Sequence, residues 1–257
     1  MTAAIGSRPI LPSLAARRVQ PKGDDRPCAV KEYKLYNRRR GNGMDVLIVG
    51  ANGKTGRLII PLLLAGRHRP RALIRAENQS ETMLALGAEP VIGDLEAPLA
   101  EVVRGHAAVI FVAGSGSKTG PEKTVDVDQI GAMALIDVCA TENCRRFAML
   151  SAMAAGAPER APQKLHHYLV SKAIADAHLS ASGLDATIVR PGYLSDEAGT
   201  GRIRIGKNLG QIANGGLISR EDTARILVAC LDRPNTIGTC FETLAGDTPI
   251  EDALTEL

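Results

Sequence analysis

Short apolar runs alternate along the chain with longer segments in which apolar residues recur every three or four positions. An apolar run rich in β-branched residues predicts a buried strand, and the longer spacing predicts a helix. Strands alternating with helices imply right-handed crossovers and a parallel sheet covered by helices on both faces. The predicted fold is therefore α/β, a doubly wound parallel sheet in a single domain. The predicted strands are 46–50, 69–74, 90–92, 107–113, 147–150 and 186–189, and the predicted helices are 55–64, 78–86, 122–142 and 165–182.

The turn after the first predicted strand carries three regularly spaced glycines, Gly50, Gly53 and Gly56. A strand, a glycine turn and a helix N-terminus together form a site for a pyrophosphate, which meets free backbone N–H groups at the positive end of the helix dipole. Gly50 permits the turn, Gly53 lets the backbone approach the phosphates, and Gly56 lets the helix pack against the strand. The alternative is an ordinary strand–helix turn that binds nothing. The predicted cofactor contacts in this turn are Gly50, Asn52, Gly53, Lys54, Thr55 and Gly56.

A second group of candidate residues stands at the carboxyl ends of the other predicted strands, where ligands of such sheets bind. Arg75 follows the second strand, at the place of the adenosine ribose. An acid there binds the 2′-hydroxyl of NAD, whereas an arginine accommodates the 2′-phosphate of NADP. Arg75 therefore predicts a preference for NADPH, with a solvated surface arginine as the alternative. Asp94 is either an adenine contact or a turn aspartate. The remaining predicted contacts here are Leu95, Ala113 and Gly114.

The chain after the sixth predicted strand is too short for a large second domain. Residues 193–216 are rich in Gly, Asp and Arg, which predicts a mobile substrate loop. A helix over 221–231, a strand near 240–242 and a short last helix complete the predicted domain, which spans 44–257.

The first 43 residues differ in composition from the rest of the chain. They hold ten Lys and Arg against three Asp and Glu. They lack helical or strand periodicity, so residues 1–43 are predicted to be a disordered basic extension. Three interpretations stay open: an organelle transit peptide, a basic arm for an acidic partner, or a segment that is not translated naturally, since Met44 lies immediately before the first strand.

The remaining residues hold 21 Lys and Arg against 25 Asp and Glu, so the predicted domain is mildly acidic. This balance gives no argument for a nucleic-acid partner. No apolar run approaches the ~20 residues that span a bilayer, so no membrane partner is predicted. The predicted location is cytoplasmic.

Neither the cysteines nor the histidines predict a metal site. The five cysteines include no C-x-x-C pair and are interpreted as reduced thiols of a cytosolic protein. His166 and His167 are neighbours in a predicted helix. Adjacent helix residues point about 100° apart, so these two imidazoles cannot bind one metal ion together.

Six segments resemble the atypical short-chain dehydrogenase/reductase family, in its NAD(P)H-binding, NmrA-like branch. The resemblance implies a Rossmann fold, NADP binding and a substrate that is often unassigned. Proteins with this layout resemble flavin, biliverdin or quinone reductases, and others are redox sensors without enzymatic activity. The matching segments cover essentially all of 45–245 and are 50–56, 93–95, 146–151, 168–172, 182–185 and 190–192.

The same resemblance implies catalytic roles for Tyr168, Lys172 and Ser151. In the better-known branch of the family, the lysine of a Y-x-x-x-K pair lowers the tyrosine pKa and holds the nicotinamide ribose, so Lys172 is also a predicted cofactor contact. The tyrosine hydroxyl exchanges a proton with the reacting oxygen, and a serine polarises that oxygen. Ser151 precedes Tyr168 by 17 residues, a wider gap than usual. Pro191 and Gly192 match the last cofactor segment. The alternative is a structural Tyr–Lys pair on a helix surface.

The leading functional hypothesis is an NADPH-dependent oxidoreductase that reduces a small carbonyl, quinone or flavin-like acceptor by hydride transfer. The first alternative is a redox-sensing regulator that binds NADP(H) without chemistry. The second is a nucleotide-sugar epimerase, and the short tail argues against it because a nucleotide sugar needs a larger cap. The expected partners are a small-molecule substrate and, if the protein is a homodimer rather than a monomer, a second copy of the chain.

Overall fold

The computed structural model of the protein describes residues 43–116, 119–210 and 216–257. The disordered extension expected over residues 1–43 lies almost wholly outside these residues. The strands in the described part are β1 (Asp45–Val49), β2 (Arg69–Ile74), β3 (Glu89–Ile92), β4 (Ala108–Phe111), β5 (Arg146–Leu150), β6 (Asp185–Pro191), β7 (Tyr193–Ser195), β8 (Arg202–Gly206), β9 (Leu217–Ser219), β10 (Thr239–Ala245) and β11 (Thr248–Pro249).

Helices follow most of these strands, as the apolar periodicity predicts. They are α1 (Lys54–Ala65), α2 (Ser80–Leu86), α3 (Ala100–Val103), α4 (Pro121–Thr124), α5 (Ala132–Thr141), α6 (Gln163–Ala181), α7 (Arg220–Leu231) and α8 (Ile250–Thr255). A π-helical segment, Val125–Gly131, joins α4 to α5. Short 3₁₀ turns lie at Glu77–Gln79, Pro158–Arg160 and Pro234–Thr236.

The main sheet has nine strands in the order β11-β8-β10-β6-β5-β4-β1-β2-β3. All pairs from β10 to β3 are parallel, and β8 pairs antiparallel with both β10 and β11 at the other edge. The chain order reverses between β1 and β4, which makes the carboxyl ends of these two strands the switch point where ligands of such sheets bind. The predicted doubly wound Rossmann fold is confirmed.

Two apolar cores cover the two faces of this sheet, as strand alternation requires. On β1, Val46 and Ile48 belong to the core that contains α1 and α7, whereas Leu47 and Val49 belong to the core that contains α5 and α6. All four side chains are buried, so β1 is apolar on both faces. Because both faces of β1 are buried, its sequence is a continuous apolar run rather than an alternation of apolar and polar residues.

The segment 193–216, which the sequence predicts to be a mobile substrate loop, contains two strands in its described part. β7 pairs in parallel with β9 as a separate two-stranded sheet, and β8 joins the main sheet. In the connection between β7 and β8, the backbone N–H groups of Thr200 and Gly201 donate to the carboxylate of Asp222, each at 2.9 Å. These bonds come from α7, more than twenty residues further along the chain, and for that reason local composition could not predict them.

Other differences from the sequence prediction are smaller. Helix α3 was not predicted, and the predicted helix 122–142 is interrupted by its π-helical segment. The bounds of most other elements shift by one or two residues. Short helices and helix ends depend on tertiary contacts more than on apolar periodicity, so sequence predicts them least well.

Candidate functional site

The glycine turn between β1 and α1 is held so tightly that two of its glycines admit no side chain. Gly50 has a φ of +94°, and a Cβ there would lie 2.6 Å from the backbone nitrogen of Ala113 on the neighbouring strand connection. A Cβ at Gly56 would lie 2.3 Å from the carbonyl oxygen of Gly50. The turn therefore brings the N-terminus of α1 close to the end of β1, and its free N–H groups face the switch point.

A cleft of about 400 Å³ runs along the carboxyl ends of β1, β2, β3 and β4. Its size and position suit part of a dinucleotide. Eight predicted cofactor contacts meet in its lining: Gly50, Asn52, Gly53, Arg75, Asp94, Leu95, Ala113 and Gly114. Sequence reasoning missed further lining residues, among them Gln79, Glu96, Ser115 and Lys123.

Arg75 stands at the open end of this cleft. Its backbone N–H donates to Oε1 of Gln79 at 3.3 Å, which begins the 3₁₀ turn after β2. Its side chain is exposed, and within the described residues no hydrogen bond or ion pair engages the guanidinium. The group is therefore free to bind an anion in the cleft.

Asp94 lies opposite, in a turn after β3. Its Oδ1 accepts the N–H of Glu96 at 3.1 Å, which is the hydrogen bond of a turn aspartate. The carboxylate of Glu96 pairs with Lys123, and both residues line the cleft. Asp94 thus has the turn role that the sequence left open, and it also lines the cleft.

Three predicted contacts of the glycine turn lie outside the cleft lining: Lys54, Thr55 and Gly56. The ammonium of Lys54 pairs with the carboxylate of Asp196, which also accepts Nη1 of Arg220 at 2.5 Å. Lys54 therefore ties the glycine turn to the segment after β7.

A buried polar cluster lies at the carboxyl ends of β5 and β6. Tyr168, Lys172 and Asp176 follow one another at intervals of four residues on α6, so they lie along one side of the helix. Nζ of Lys172 donates to the carbonyl oxygen of Leu150 at 2.8 Å and lies 5.5 Å from the centre of the Phe111 ring. Burial lowers the pKa of Lys172, and the charges of Asp128 and Asp176 partly offset that shift.

The pKa of Tyr168 is raised, not lowered as the family resemblance implies. Burial of the phenol is the main cause, and the negative charges of Asp128 and Asp176 add to it. Lys172 directs its ammonium to Leu150 instead. The Tyr168 hydroxyl therefore keeps its proton at neutral pH.

Ser151 donates its hydroxyl hydrogen to a carboxylate of the same cluster. The acceptor is Oδ2 of Asp176 at 2.7 Å, and the same oxygen accepts Nε of Arg190 at 2.9 Å. The other oxygen of Asp176 is buried, and within the described residues it has no hydrogen-bond partner. Burial raises the pKa of Asp176, while the charges of Lys172 and Arg190 oppose that shift. Sequence reasoning did not identify Asp176, because nothing local marks it.

Asp128 is a second acid that sequence reasoning missed. It lies in the π-helical segment and is 2% exposed. Its Oδ2 accepts the N–H of Ser115 at 2.9 Å, which fixes the chain after β4 at the cleft. π-Helical turns occur often at functional sites, and this one aims a carboxylate toward Tyr168 and Lys172. No feature of the sequence predicts the π-helical register.

Pro191 and Gly192 close the other side of this region. The carbonyl oxygen of Pro191 accepts the N–H of Met153 at 2.9 Å, and the N–H of Gly192 donates to Thr243 at 3.0 Å. These bonds join the ends of β5, β6 and β10. The structure therefore places Pro191 and Gly192 beside the buried cluster and outside the lining of the cleft.

Two further expectations from the sequence concern the cysteines and membrane-spanning helices. Cys139, Cys144, Cys230 and Cys240 are free thiols, and Cys28 lies outside the described residues. Every helix that the structure describes is too short or too polar to cross a bilayer.

Comparison with known proteins places the chain among nucleotide-binding proteins. A family model described as NAD(P)H-binding matches residues 50–234. The uncharacterized sugar epimerase YhfK of Bacillus subtilis is 41% identical over 218 residues, which cover 83% of this chain and all of YhfK. A Bacillus halodurans protein proposed to be an NAD-dependent epimerase/dehydratase is 39% identical, with a TM-score of 0.81 over 84% of this chain and 100% of its own. The oxidoreductase ylbE of Lactococcus lactis is 26% identical, with a TM-score of 0.71 over 83% of this chain and 96% of its own.

Proposed function

The chain belongs to the NAD(P)H-binding family, and on that premise we propose that it is an NADPH-dependent oxidoreductase of the short-chain dehydrogenase/reductase type. Its substrate is a small carbonyl, quinone or flavin-like acceptor. The observation that carries this proposal is the cleft at the glycine turn, which Asp128 links through the N–H of Ser115 to the polar cluster that contains Tyr168.

The cleft suits part of a dinucleotide in size and position. Gly50 and Gly56 keep the turn at its edge tight, because a Cβ at either position would collide with backbone atoms. The turn would hold the pyrophosphate on the N-terminus of α1, and Arg75 would hold the 2′-phosphate. The bound nicotinamide supplies the hydride.

The proton for the acceptor oxygen comes from Tyr168. A group that donates a proton must carry it at working pH, and a tyrosine with an ordinary pKa of ~10 or above does so at neutral pH. Lys172 is buried with its ammonium on Leu150, so it holds the end of β5 in place beneath Ser151. Ser151 can accept but not give a hydrogen bond while its own hydrogen is on Asp176. In this proposal Tyr168 is the catalytic acid, Lys172 supports the end of β5, and Ser151 is held by Asp176.

A second candidate function is suggested by the relatives named as epimerases. Epimerisation uses the same cofactor chemistry, but it returns the hydride to the substrate and needs a cap that encloses a nucleotide sugar. Between β6 and α7, the described residues form β7, β8 and β9. A redox sensor remains the third candidate, since a cleft that binds NADPH does not require turnover.

Purified protein incubated with NADPH and a panel of quinones, flavins and aldehydes separates these three functions. We expect NADPH to be oxidised with at least one acceptor. Tight binding of NADPH without oxidation by any acceptor would favour the sensor. Conversion of a nucleotide sugar with no net change in NADPH would favour the epimerase.

Cofactor preference is expected to depend on Arg75. A charge-assisted contact with the 2′-phosphate is worth ~1.5–3 kcal/mol, so NADPH is expected to bind at least about tenfold more tightly than NADH. Arg75→Ala is expected to remove most of this difference while leaving NADH affinity unchanged. Arg67→Ala, at the opposite end of β2, is the matched control. Titration of each variant with both cofactors measures the difference, and equal affinities of the unmodified protein would contradict the assignment.

A further inference from the structure

A second cavity lies beyond the buried cluster, and no function described above uses it. It encloses about 860 Å³, more than twice the volume of the cofactor cleft. Small-molecule sites have volumes of about 300–1,000 Å³. Its walls are the segment after β5 (154–162), Arg190 at the end of β6, the chain after β8, and Glu242 of β10.

Arg190 connects this cavity to the buried cluster. Its Nε donates to Oδ2 of Asp176 at 2.9 Å, and Ser151 donates to the same oxygen. Only 18% of the side chain is exposed, and the guanidinium lines the cavity. The buried Asp176 carboxylate thus fixes the Nε edge of the Arg190 guanidinium. The two terminal nitrogens of the guanidinium are left to face the cavity. A planar, oriented fork of donors suits a carboxylate or a phosphate.

The space occupied by this guanidinium depends on a glycine. A Cβ at Gly156 would lie 2.7 Å from Nη1 of Arg190. Gly156 does not have a positive φ, so its backbone conformation does not require glycine. Glycine is required at position 156 because the Arg190 guanidinium occupies the space that a side chain would need. Ala154, two residues earlier, has a φ of +67°, a strained conformation of the kind that clusters at functional sites.

Each of the two carboxylates in the cavity wall has a hydrogen-bond or ion-pair partner. The Glu242 carboxylate accepts the N–H of Leu209 at 2.7 Å, and Glu159 lies 3.7 Å from its neighbour Arg160. Lys207 lines the cavity, and within the described residues no hydrogen bond or ion pair engages its ammonium. The remaining walls are small and mostly apolar: Ala154, Ala157, Ala161 and Pro162.

We infer that this cavity receives the acceptor substrate, and that the substrate carries an anionic group, a carboxylate or a phosphate, bound by Arg190 with Arg160 and Lys207 at the rim. Because Arg190 and Ser151 share the Asp176 carboxylate, an anion on Arg190 places the body of the acceptor beside the cluster that contains Tyr168. This inference rests on the proposed reductase function and narrows its substrate class.

Two matched pairs of acceptors test the inference by binding alone. Riboflavin and FMN differ by a phosphate, and benzaldehyde and 4-carboxybenzaldehyde differ by a carboxylate. Calorimetric titration of the full chain without cofactor is expected to give at least about tenfold tighter binding for the anionic member of one pair, as expected for charge-assisted hydrogen bonds. The pair that shows the preference identifies the anion. Equal binding within both pairs, or no binding by any of the four, would overturn the inference.

Three variants locate the effect. Gly156→Ala displaces the flexible end of Arg190 and is expected to preserve the fold, as checked by its melting temperature, while removing most of the preference for the anion. The double variant Arg160→Gln, Lys207→Gln is expected to reduce the preference for the anionic acceptor several-fold. Arg67→Gln, at the amino end of the sheet, is expected to change nothing. An anion preference that survives Gly156→Ala and the double variant would place the anion elsewhere.

The same samples are titrated with NADPH to separate this inference from the proposed function. Unchanged NADPH binding together with lost anion preference supports the inference. If the unmodified protein fails to bind NADPH but prefers the anion, the reductase function fails and the anion site stands.

Discussion

Replacing Tyr168 with phenylalanine is expected to lower the turnover of a carbonyl acceptor by ~10²–10⁴-fold, the usual contribution of positioned acid–base catalysis. The substitution keeps the ring and removes only the hydroxyl, so NADPH affinity is expected to stay the same. The measurement is the rate of NADPH oxidation at saturating acceptor, with cofactor affinity determined separately by titration.

The pH dependence of the unmodified enzyme tests the same assignment. Burial and the charges of Asp128 and Asp176 raise the pKa of Tyr168, and the protonated form is the donor. The rate of reduction is therefore expected to stay level from about pH 6 to pH 9 and to fall only above the ordinary tyrosine pKa of ~10. A rate that falls through neutral pH would instead indicate an ionised tyrosine of the kind that the family resemblance implies.

Tyr193→Phe is the matched control, because Tyr193 is the other tyrosine of the described residues and is 45% exposed. Its turnover is expected to match that of the unmodified protein. If instead Tyr168→Phe reduces a flavin or a quinone at the original rate, hydride transfer to that acceptor needs no proton from Tyr168, and the Tyr–Lys pair is structural.

Replacing Arg146 with leucine is expected to lower the free energy of unfolding by about 3–5 kcal/mol, a value reserved for broken buried networks. Arg146 is 1% exposed. Its guanidinium donates to the carbonyl oxygens of Asp185 and Cys230, both at 2.5 Å, and to the hydroxyls of Thr187 and Thr236.

The loss is expected to come mainly from the carbonyl group of Asp185. The hydroxyls of Thr187 and Thr236 also bond to each other at 3.2 Å, so they retain a partner in the variant. The Cys230 carbonyl also accepts the N–H of Arg233 and the hydroxyl of Thr236, each at 3.2 Å, so it retains partners in the variant. The Asp185 carbonyl would lose the guanidinium in a buried place, and an unsatisfied buried acceptor costs ~1–3 kcal/mol. Thermal unfolding is expected to begin at the junction of β5, β6 and the C-terminal end of α7.

Arg145→Leu provides the control from the adjacent position. Arg145 bonds to the carbonyl oxygen of Gly183 at 2.8 Å, and its side chain is 50% exposed. Its replacement is expected to change stability by no more than about 0.5 kcal/mol. Denaturant unfolding of the two variants and the parent measures the difference. Similar losses for both arginines would show that the buried network contributes less than its hydrogen bonds suggest.

The sequence by itself determined the sheet, the helices and the glycine turn. These features follow from short-range rules: β1 is apolar on both faces, α1 repeats its apolar residues at helical spacing, and Gly50 and Gly56 fall where no side chain fits. The carboxyl ends of β1 to β4 meet at one edge because these strands run parallel. For that reason eight predicted contacts, from Gly50 to Gly114, could be placed in one cleft.

The tertiary structure alone decided which charges are buried and what they face. Arg145 and Arg146 look alike in the sequence, yet only Arg146 lies beneath α7 and the Pro234–Thr236 turn. No sequence motif identifies Asp128 or Asp176 as a site residue, yet the charges of both add to the effect of burial in raising the pKa of Tyr168. The composition around Thr200 and Gly201 predicts a loop, yet Asp222 of α7 accepts the backbone N–H groups of both residues.

These outcomes share one physical reason. The conformation of a strand or a glycine turn is set by neighbours within a few residues, which the sequence displays directly. The state of a buried charge is set by desolvation and by partners brought from distant segments, such as Ser151 and Arg190 around Asp176. Those partners are close only after the sheet has formed. The sequence could therefore predict which edge of the sheet carries the candidate site, but not that Asp176 lies in the polar cluster with Tyr168.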